Sequence, residues 1–231
     1  MSAPQTTKGW TVEGAGNEVL VKFHAASLNY RDVIIPLGHY PFPVKPSVVP
    51  GSDGAGEVVA VGSKGTRFEK GAKVVTLFRG MSIAGLQFAK AAGARVIATT
   101  SSPAKGEMLK KLGADHAINY KENPNWGNEA KAISGGVKHV IEVGGMNTMK
   151  ESLNAVGLDG VVTIIGWVGG QADGGLDFNF VQSRMAFLRS IVVGSREEFE
   201  AMIRTIEACD IKPVIDQKVF KLEELKEACK Y

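Results

Sequence analysis

The sequence predicts an α/β protein in which a small irregular β module precedes a parallel sheet wound with helices. Two observations carry this. The chain changes character near residue 80, and beyond that point short apolar strands alternate with helices of about the length that βαβ units require. Before it, residues 18–23 (EVLVKF), 56–61 (GEVVAV) and 73–78 (KVVTLF) read as Val-rich strands. They are separated by Gly/Pro-dense stretches at 41–46 and 50–56. In the second region, residues 82–92 place Ile83, Leu86 and Ala89 at helical spacing, and Gly93 is suited to end that helix. A strand at 95–99, a helix at 105–112 stopped by Gly113, and a strand at 116–119 follow. Next come a strand at 137–143, a helix at 148–156 and strands at 161–165 and 189–193. Ser195 with Glu198 three residues on is a capping-box signal for a helix over 196–209.

Composition narrows the class. The chain has 231 residues, 44% of them hydrophobic and 22% charged, with a formal net charge of +3. Lys and Arg are scattered among acids, so despite a pI near 8.8 there is no basic block and no nucleic-acid partner is expected. No apolar run reaches spanning length and no secretory leader is visible, so neither a membrane partner nor export is expected. Two cysteines, Cys209 and Cys229, without metal-ligand spacing fit a reducing, cytoplasmic setting. His24, His39, His116 and His139 show no ligand spacing either.

The chemistry concentrates in two constellations. The first is Ser27-Leu-Asn-Tyr-Arg-Asp32, followed by the glycine-rich run 49–62 (VPGSDGAGEVVAVG). The second is the long run 88–120, which includes FAKAAGARVIATTSS and LKKLGADHAINY. Together these resemble the medium-chain dehydrogenase/reductase family, and within it the zinc-free quinone oxidoreductase-like and alcohol dehydrogenase-like proteins. The resemblance implies a partial GroES-like β (catalytic) domain over 1–78, a Rossmann-like NADP-binding domain over 79–209, and a truncated return to the β domain over 210–231.

The family comparison also implies what is absent. Zinc-dependent relatives carry a cysteine where this chain has Asn29 and a His-Glu pair where it has Ser52-Asp53. An amide and a hydroxyl are poor zinc ligands, so no metal is expected. Asn29 and Tyr30 match positions lining the nicotinamide end of the site, where they would orient cofactor or substrate oxygen. The alternative for Asn29 is that it satisfies loop backbone groups.

In the cofactor half, NAD enzymes place an acid on the ribose 2′-hydroxyl at the end of the second Rossmann strand. Here that position falls in Thr99-Thr100-Ser101-Ser102, with Lys105 three residues on. Hydroxyls and an amine suit a 2′-phosphate, so NADP(H) is the expected cofactor; alternatively Lys105 is an ordinary solvated residue at a helix start. Tyr120, Val143, Gly144, Ile165 and Gly166 match family positions along the cofactor. Gly80 and Ser82 look like the remnant of the phosphate turn and the helix opening.

The pattern breaks between residues 78 and 82, where a complete relative carries the rest of the β domain, a linking helix and the first Rossmann strand. Shortening is also visible between Gly14 and Asn17 and at the C-terminal end. Residues 74–78 sliding into the vacant strand position is one rescue, with Arg79 supplying charge to an anion. The expected activity is hydride transfer from NADP(H) to a small carbonyl, quinone or enone. The alternatives are a catalytically silent relative and an incomplete gene product. By family analogy a homodimer would pair Rossmann-sheet edges, with residues 160–168 and 189–193 as the candidate edge strands.

Overall fold

The computed structural model describes residues 19–44, 51, 53–76, 82–170, 172 and 174–231. The chain divides into two compact units, Met1–Arg79 with Gln217–Tyr231, and Gly80–Asp216. The readings made at Gly14–Asn17, Ser52, Arg79 and Gly80 lie outside the described residues.

The first unit is built on an antiparallel sheet of β1 (Val19–Ser27), β2 (Asp53–Val61) and β3 (Lys73–Thr76), in that order. Its register runs from Val19 opposite Val61 to Ser27 opposite Asp53, so the end of β1 meets the start of β2. Gly56 permits this approach, since a Cβ there would sit 2.3 Å from the Lys22 carbonyl oxygen. A short helix, α1 (Tyr30–Ile34), follows β1 directly and buries Asp32 and Ile34. The pairing of Lys73–Thr76 with Glu57–Gly54 corrects the rescue expected above: β3 is held in the antiparallel sheet and is not available to a parallel one.

The second unit alternates strand and helix. It runs α2 (Ser82–Ala91), β4 (Ile97–Thr100), α3 (Pro103–Lys111), β5 (His116–Asn119), α4 (Trp126–Ser134) and β6 (Val137–Glu142). It continues with α5 (Met146–Ala155), β7 (Val156–Ile164), α6 (Phe178–Ser183), β8 (Phe187–Ser190) and α7 (Arg196–Ala208). Local chemistry sets several boundaries. Gly93, at φ 75°, ends the α2 segment, and Pro103 opens α3 behind the Ser102 cap. Ser195 and Glu198 complete the capping box on α7, at 3.3 and 2.6 Å. α4 and α6 escaped the sequence reading.

All pairings in this unit are parallel, as expected, but they fall into two sheets, β4-β5 and β6-β7-β8. The larger core is Met149, Leu153, Val156 and Val162, with Val140, Ile164 and Phe180 packed around it. Leu153 and Val162 are fully buried, each worth roughly 1.5–3 kcal/mol in transferred apolar surface. A second cluster of Ile118, Ala130 and Ala155 takes in Ile97 at the start of β4 and Val137 at the start of β6. The two sheets therefore share a core without pairing.

The break has a definite place. In the doubly wound order 3-2-1-4-5-6, the second strand and the fourth flank the first. β4 and β5 occupy the second and third positions, and β6, β7 and β8 the fourth to sixth, so the discontinuity lies where the first strand belongs. Among the described residues no strand lies between β4 and β6. Ile141 on β6 is 45% exposed. The edge assignment also needs correction: β7 lies between β6 and β8, so residues 160–164 are interior to their sheet. Of the two expected edge strands β8 is an edge, and its strand is Phe187–Ser190, starting two residues before the expected 189–193.

Candidate functional site

Three elements of the first unit converge at one place: the end of β1, the start of α1 and the start of β2. The β1–β2 register brings Ser27 and Asp53 together, and the Asn29 amide reaches the same carboxylate. Asn29 Nδ2 donates to Asp53 Oδ2 at 2.9 Å, and Ser27 Oγ donates to that oxygen at 3.3 Å. Buried Asp32, third residue of α1, holds the frame. Its Oδ2 accepts from the Asn29 N–H at 2.8 Å and its Oδ1 from the Gly51 N–H at 2.9 Å. One carboxylate thus ties together the two segments that bear Asn29 and Asp53. Burial holds the Asp53 carboxyl above its ordinary range. The Asn29 and Ser27 hydrogen bonds work against that shift, and the neighbouring Asp32 charge adds to it.

Of the two catalytic candidates, Asn29 donates its side-chain N–H to Asp53 and also forms a capping box with Asp32 at the start of α1. Tyr30 opens α1 with its side chain 43% exposed. Asp32 was quoted in the first motif but not singled out; an acid at the third position of a helix, three residues after Asn29, was the signal.

In the second unit, the polar residues after β4 gather at its carboxyl end. Thr100 is buried, and its carbonyl accepts from the Tyr120 N–H at 3.0 Å as β4 and β5 end together. Ser102 caps α3, its hydroxyl accepting the Lys105 N–H at 3.4 Å. Ser101 stands between them, half-buried, while the Lys105 side chain is exposed. A pocket of about 330 Å³ opens beside this turn, lined by Thr100, Ser102, Gly106, Lys110, Asn119 and Glu129 among others; Lys105 and Tyr120 are not among its walls. Its carboxylates are engaged: Glu107 pairs with Lys110 at 3.0 Å, and Glu122 and Glu129 accept from Asn119 and Asn123.

A second group forms at the carboxyl ends of β6 and β7. The Ile165 N–H donates to the Glu142 carbonyl at 2.8 Å, and the Val168 and Gly169 N–H groups to those of Val143 and Gly144 at 2.9 Å. Gly166 packs so closely that a Cβ would lie 3.1 Å from the Val143 carbonyl oxygen. Gly145 turns the chain into α5 at φ 83°, where a Cβ would meet the Trp167 backbone at 2.8 Å.

Beneath this turn lies Glu142, which sequence reasoning quoted only as part of a strand end. Its carboxylate is 3% exposed and accepts from the Gly145 N–H at 2.9 Å, from Thr148 Oγ1 at 2.6 Å and from Ser152 Oγ. Thus Thr100, Ser101, Ser102, Lys105 and Tyr120 share one strand end, and Val143, Gly144, Ile165 and Gly166 another. Ser82 is the first residue of α2.

Both groups stand at the carboxyl ends of parallel strands, where open α/β sheets bind ligands. Residues 80–208 match the family model for zinc-binding dehydrogenases, and residues 15–107 that for the alcohol dehydrogenase GroES-like domain. The chain belongs to the medium-chain dehydrogenase/reductase family. A zinc-type alcohol dehydrogenase-like protein of Schizosaccharomyces pombe is 36% identical over 304 residues, covering 93% of this chain and 87% of the relative. A chain of 231 residues cannot fill 304 positions, so stretches of the relative stand opposite gaps in this sequence. A quinone oxidoreductase of Pseudomonas aeruginosa is 27% identical, over 70% of this chain and 69% of the relative. The crystal structure of Escherichia coli quinone oxidoreductase complexed with NADPH superposes with a TM-score of 0.72 at 21% identity, covering 97% of this chain and 89% of that one. This last likeness bears on the fold alone. The family consists of nicotinamide-nucleotide oxidoreductases acting on small molecules, and no described helix is long and apolar enough to cross a membrane.

Proposed function

We propose that this chain is an NADP(H)-dependent, zinc-independent reductase of small carbonyl, quinone or enone substrates. Its β unit would be catalytic and its α/β unit would bind the cofactor. The observation that carries the reading is the Asn29–Asp53 hydrogen bond, formed where zinc-dependent relatives carry their ligands. Zinc favours thiolate, imidazole and carboxylate, and this cluster offers Asp53, engaged by an amide and a hydroxyl, and Asp32, engaged by two backbone N–H groups. The donor set does not fit the metal.

The residues after β4 do suit the adenosine end of NADP(H). Ser101, Ser102 and the exposed Lys105 amine present hydroxyl and cationic donors at a helix start, which favours a 2′-phosphate over an unmodified ribose. Val143, Gly144, Ile165 and Gly166 supply a side-chain-poor wall at the neighbouring strand ends, and Tyr120 an exposed ring. When bound, the dinucleotide supplies hydride. Asn29 and Tyr30 then hold the acceptor oxygen or the cofactor, and Asp32 fixes the loop from which Asn29 projects.

Two further parts of the reading are cytoplasmic residence, supported by the free thiols of Cys209 and Cys229, and a homodimer paired through the β8 edge. A second reading, a relative that binds nucleotide without turnover, is favoured by the opening between β4 and β6, because the turn after the first strand is the usual pyrophosphate seat.

Fluorescence titration with NADPH and NADH, followed by turnover on a simple quinone, tests both. Replacing Lys105 with Ala is expected to weaken NADPH about tenfold, the loss of roughly 1.5 kcal/mol of charged hydrogen bonding, and to leave NADH unchanged. Equal losses for both nucleotides would refute the 2′-phosphate assignment. Binding without turnover would select the second reading.

A further inference from the structure

We propose that Glu142 is a positioning residue for the nicotinamide half of the dinucleotide, acting through the turn Val143–Gly145 that it holds from beneath. The inference rests on the reading of the α/β unit as the cofactor domain, and every residue it uses lies within that unit, Gly80–Asp216.

The place of Glu142 follows from strand order. β4 and β5, with the polar residues proposed for the adenosine 2′-phosphate, belong to the first half of the doubly wound order, and β6, β7 and β8 form the second. Each half of such a sheet takes one mononucleotide, and the dinucleotide crosses where the strand order reverses. Glu142 is the last residue of β6, the fourth strand, so it stands at the carboxyl end that borders this crossing. With the adenosine on the first half, that strand end falls to the nicotinamide mononucleotide.

A carboxylate only 3% exposed is a costly core residue, and well-packed apolar side chains of similar volume would serve stability as well. What the acid adds is a set of directed contacts. Its Oε1 accepts from the Gly145 N–H at 2.9 Å and from Thr148 Oγ1 at 2.6 Å, and its Oε2 accepts from Ser152 Oγ. Thr148 and Ser152 lie one turn apart on α5, so one side chain clamps the end of β6 to the first two turns of that helix. The Glu142 carbonyl accepts the Ile165 N–H at 2.8 Å, which ties the end of β7 to the same residue.

These contacts reach the surface of the turn. The Thr148 hydroxyl held by Glu142 fills the space beside Gly144, where a Cβ would lie 2.3 Å from Oγ1. Gly145, whose N–H Glu142 receives, adopts φ 83° and ψ −146°, a backbone conformation suited to glycine. A buried polar network with its donors satisfied specifies one geometry, and a wall shifted by about 1 Å is enough to misplace a bound reactive group.

The test titrates the full chain with NADPH and, separately, with adenosine 2′,5′-bisphosphate, which carries the adenosine half alone. Glu142→Gln keeps the shape and one acceptor oxygen but cannot accept from both hydroxyls and the Gly145 N–H as the carboxylate does. It is expected to weaken NADPH about tenfold, the size of one lost charge-assisted hydrogen bond, and to leave the bisphosphate unchanged. The emission of the bound dihydronicotinamide is expected to move towards that of free NADPH. Thr148→Val, which removes one donor and keeps the acid, is expected to shift both readouts in the same direction. A Glu142→Gln variant that loses both ligands equally, or neither, would overturn the positioning role and leave the cofactor reading standing. A wild-type chain that binds neither ligand would overturn the cofactor reading and this role with it. Should Glu142→Gln fail to fold, wild-type NADPH affinity in Thr148→Val overturns the role.

Discussion

Two aspartates in this chain are shifted in opposite directions, and the contrast shows what a few hydrogen bonds decide. Asp115, just ahead of β5, accepts the Val96 N–H at 2.7 Å and the Lys90 ammonium at 2.9 Å, linking α2 to the starts of β4 and β5. The Val96 hydrogen bond, followed by that of Lys90, holds its carboxyl below the ordinary aspartate value of 3.8. A depressed carboxyl contributes stability that is present above its unfolded value and lost as pH falls through its folded one. Asp115→Asn is therefore expected to lower the melting temperature at neutral pH, with the difference closing once the pH drops below about 3.8. Melting curves across that range check it; a gap that persists in acid would mean the asparagine disturbs packing. Asp53 carries the opposite sign. Its raised carboxyl contributes fully below the value of an unfolded aspartate, and that contribution is lost as pH rises through the folded value.

At the scale of elements, what could be read from the sequence was whatever announces itself within a few residues. Strand β5 matches its expected bounds, and α7 begins where Ser195 and Glu198 say it should. Helix α4 went unread because it follows Pro124 and Asn125 with no side-chain cap, and its packing rests on Gly127, where a Cβ would strike the Glu151 carbonyl at 2.1 Å. The Asn29–Asp53 contact was illegible for a different reason: it joins residues 24 apart through a strand register that the local pattern does not set. Glu142 belongs to the same class, a polar residue in a strand whose partners Thr148 and Ser152 are supplied by the next helix. Three donors converge on this one buried carboxylate, so Glu142→Ala leaves them unsatisfied and is expected to cost roughly 3 kcal/mol. Urea denaturation measures this, and Glu142→Gln, which keeps an acceptor, should recover part of it. Since the same donors shape the turn through Gly145, nucleotide affinity should fall alongside stability.

The whole molecule carries one unresolved structural demand, the opening between β4 and β6. Among the described residues each strand there lacks a neighbour on one edge, which leaves backbone N–H and C=O groups that a complete sheet would pair without a ladder partner. The core beneath is continuous, because Ile97 and Val137 pack on the same cluster, so the second unit holds together by side-chain burial across a gap in its hydrogen-bond ladder. Such an arrangement should exchange its β4 and β6 amides faster than those of β7, which is paired on both sides. It also predicts a gain of function by addition. Inserting between Thr76 and Ser82 a linker, a five- or six-residue strand of Val and Ile, and a Gly-x-Gly-x-x-Gly turn would restore the missing parallel pairings. The turn would also rebuild a pyrophosphate seat at the start of α2. The expected result is slower amide exchange in β4 and β6 and tighter NADPH binding. Each kcal/mol gained should raise the melting temperature by about 2–4 °C. An insertion that folds yet leaves exchange and affinity unchanged would show that the gap is already closed by other means.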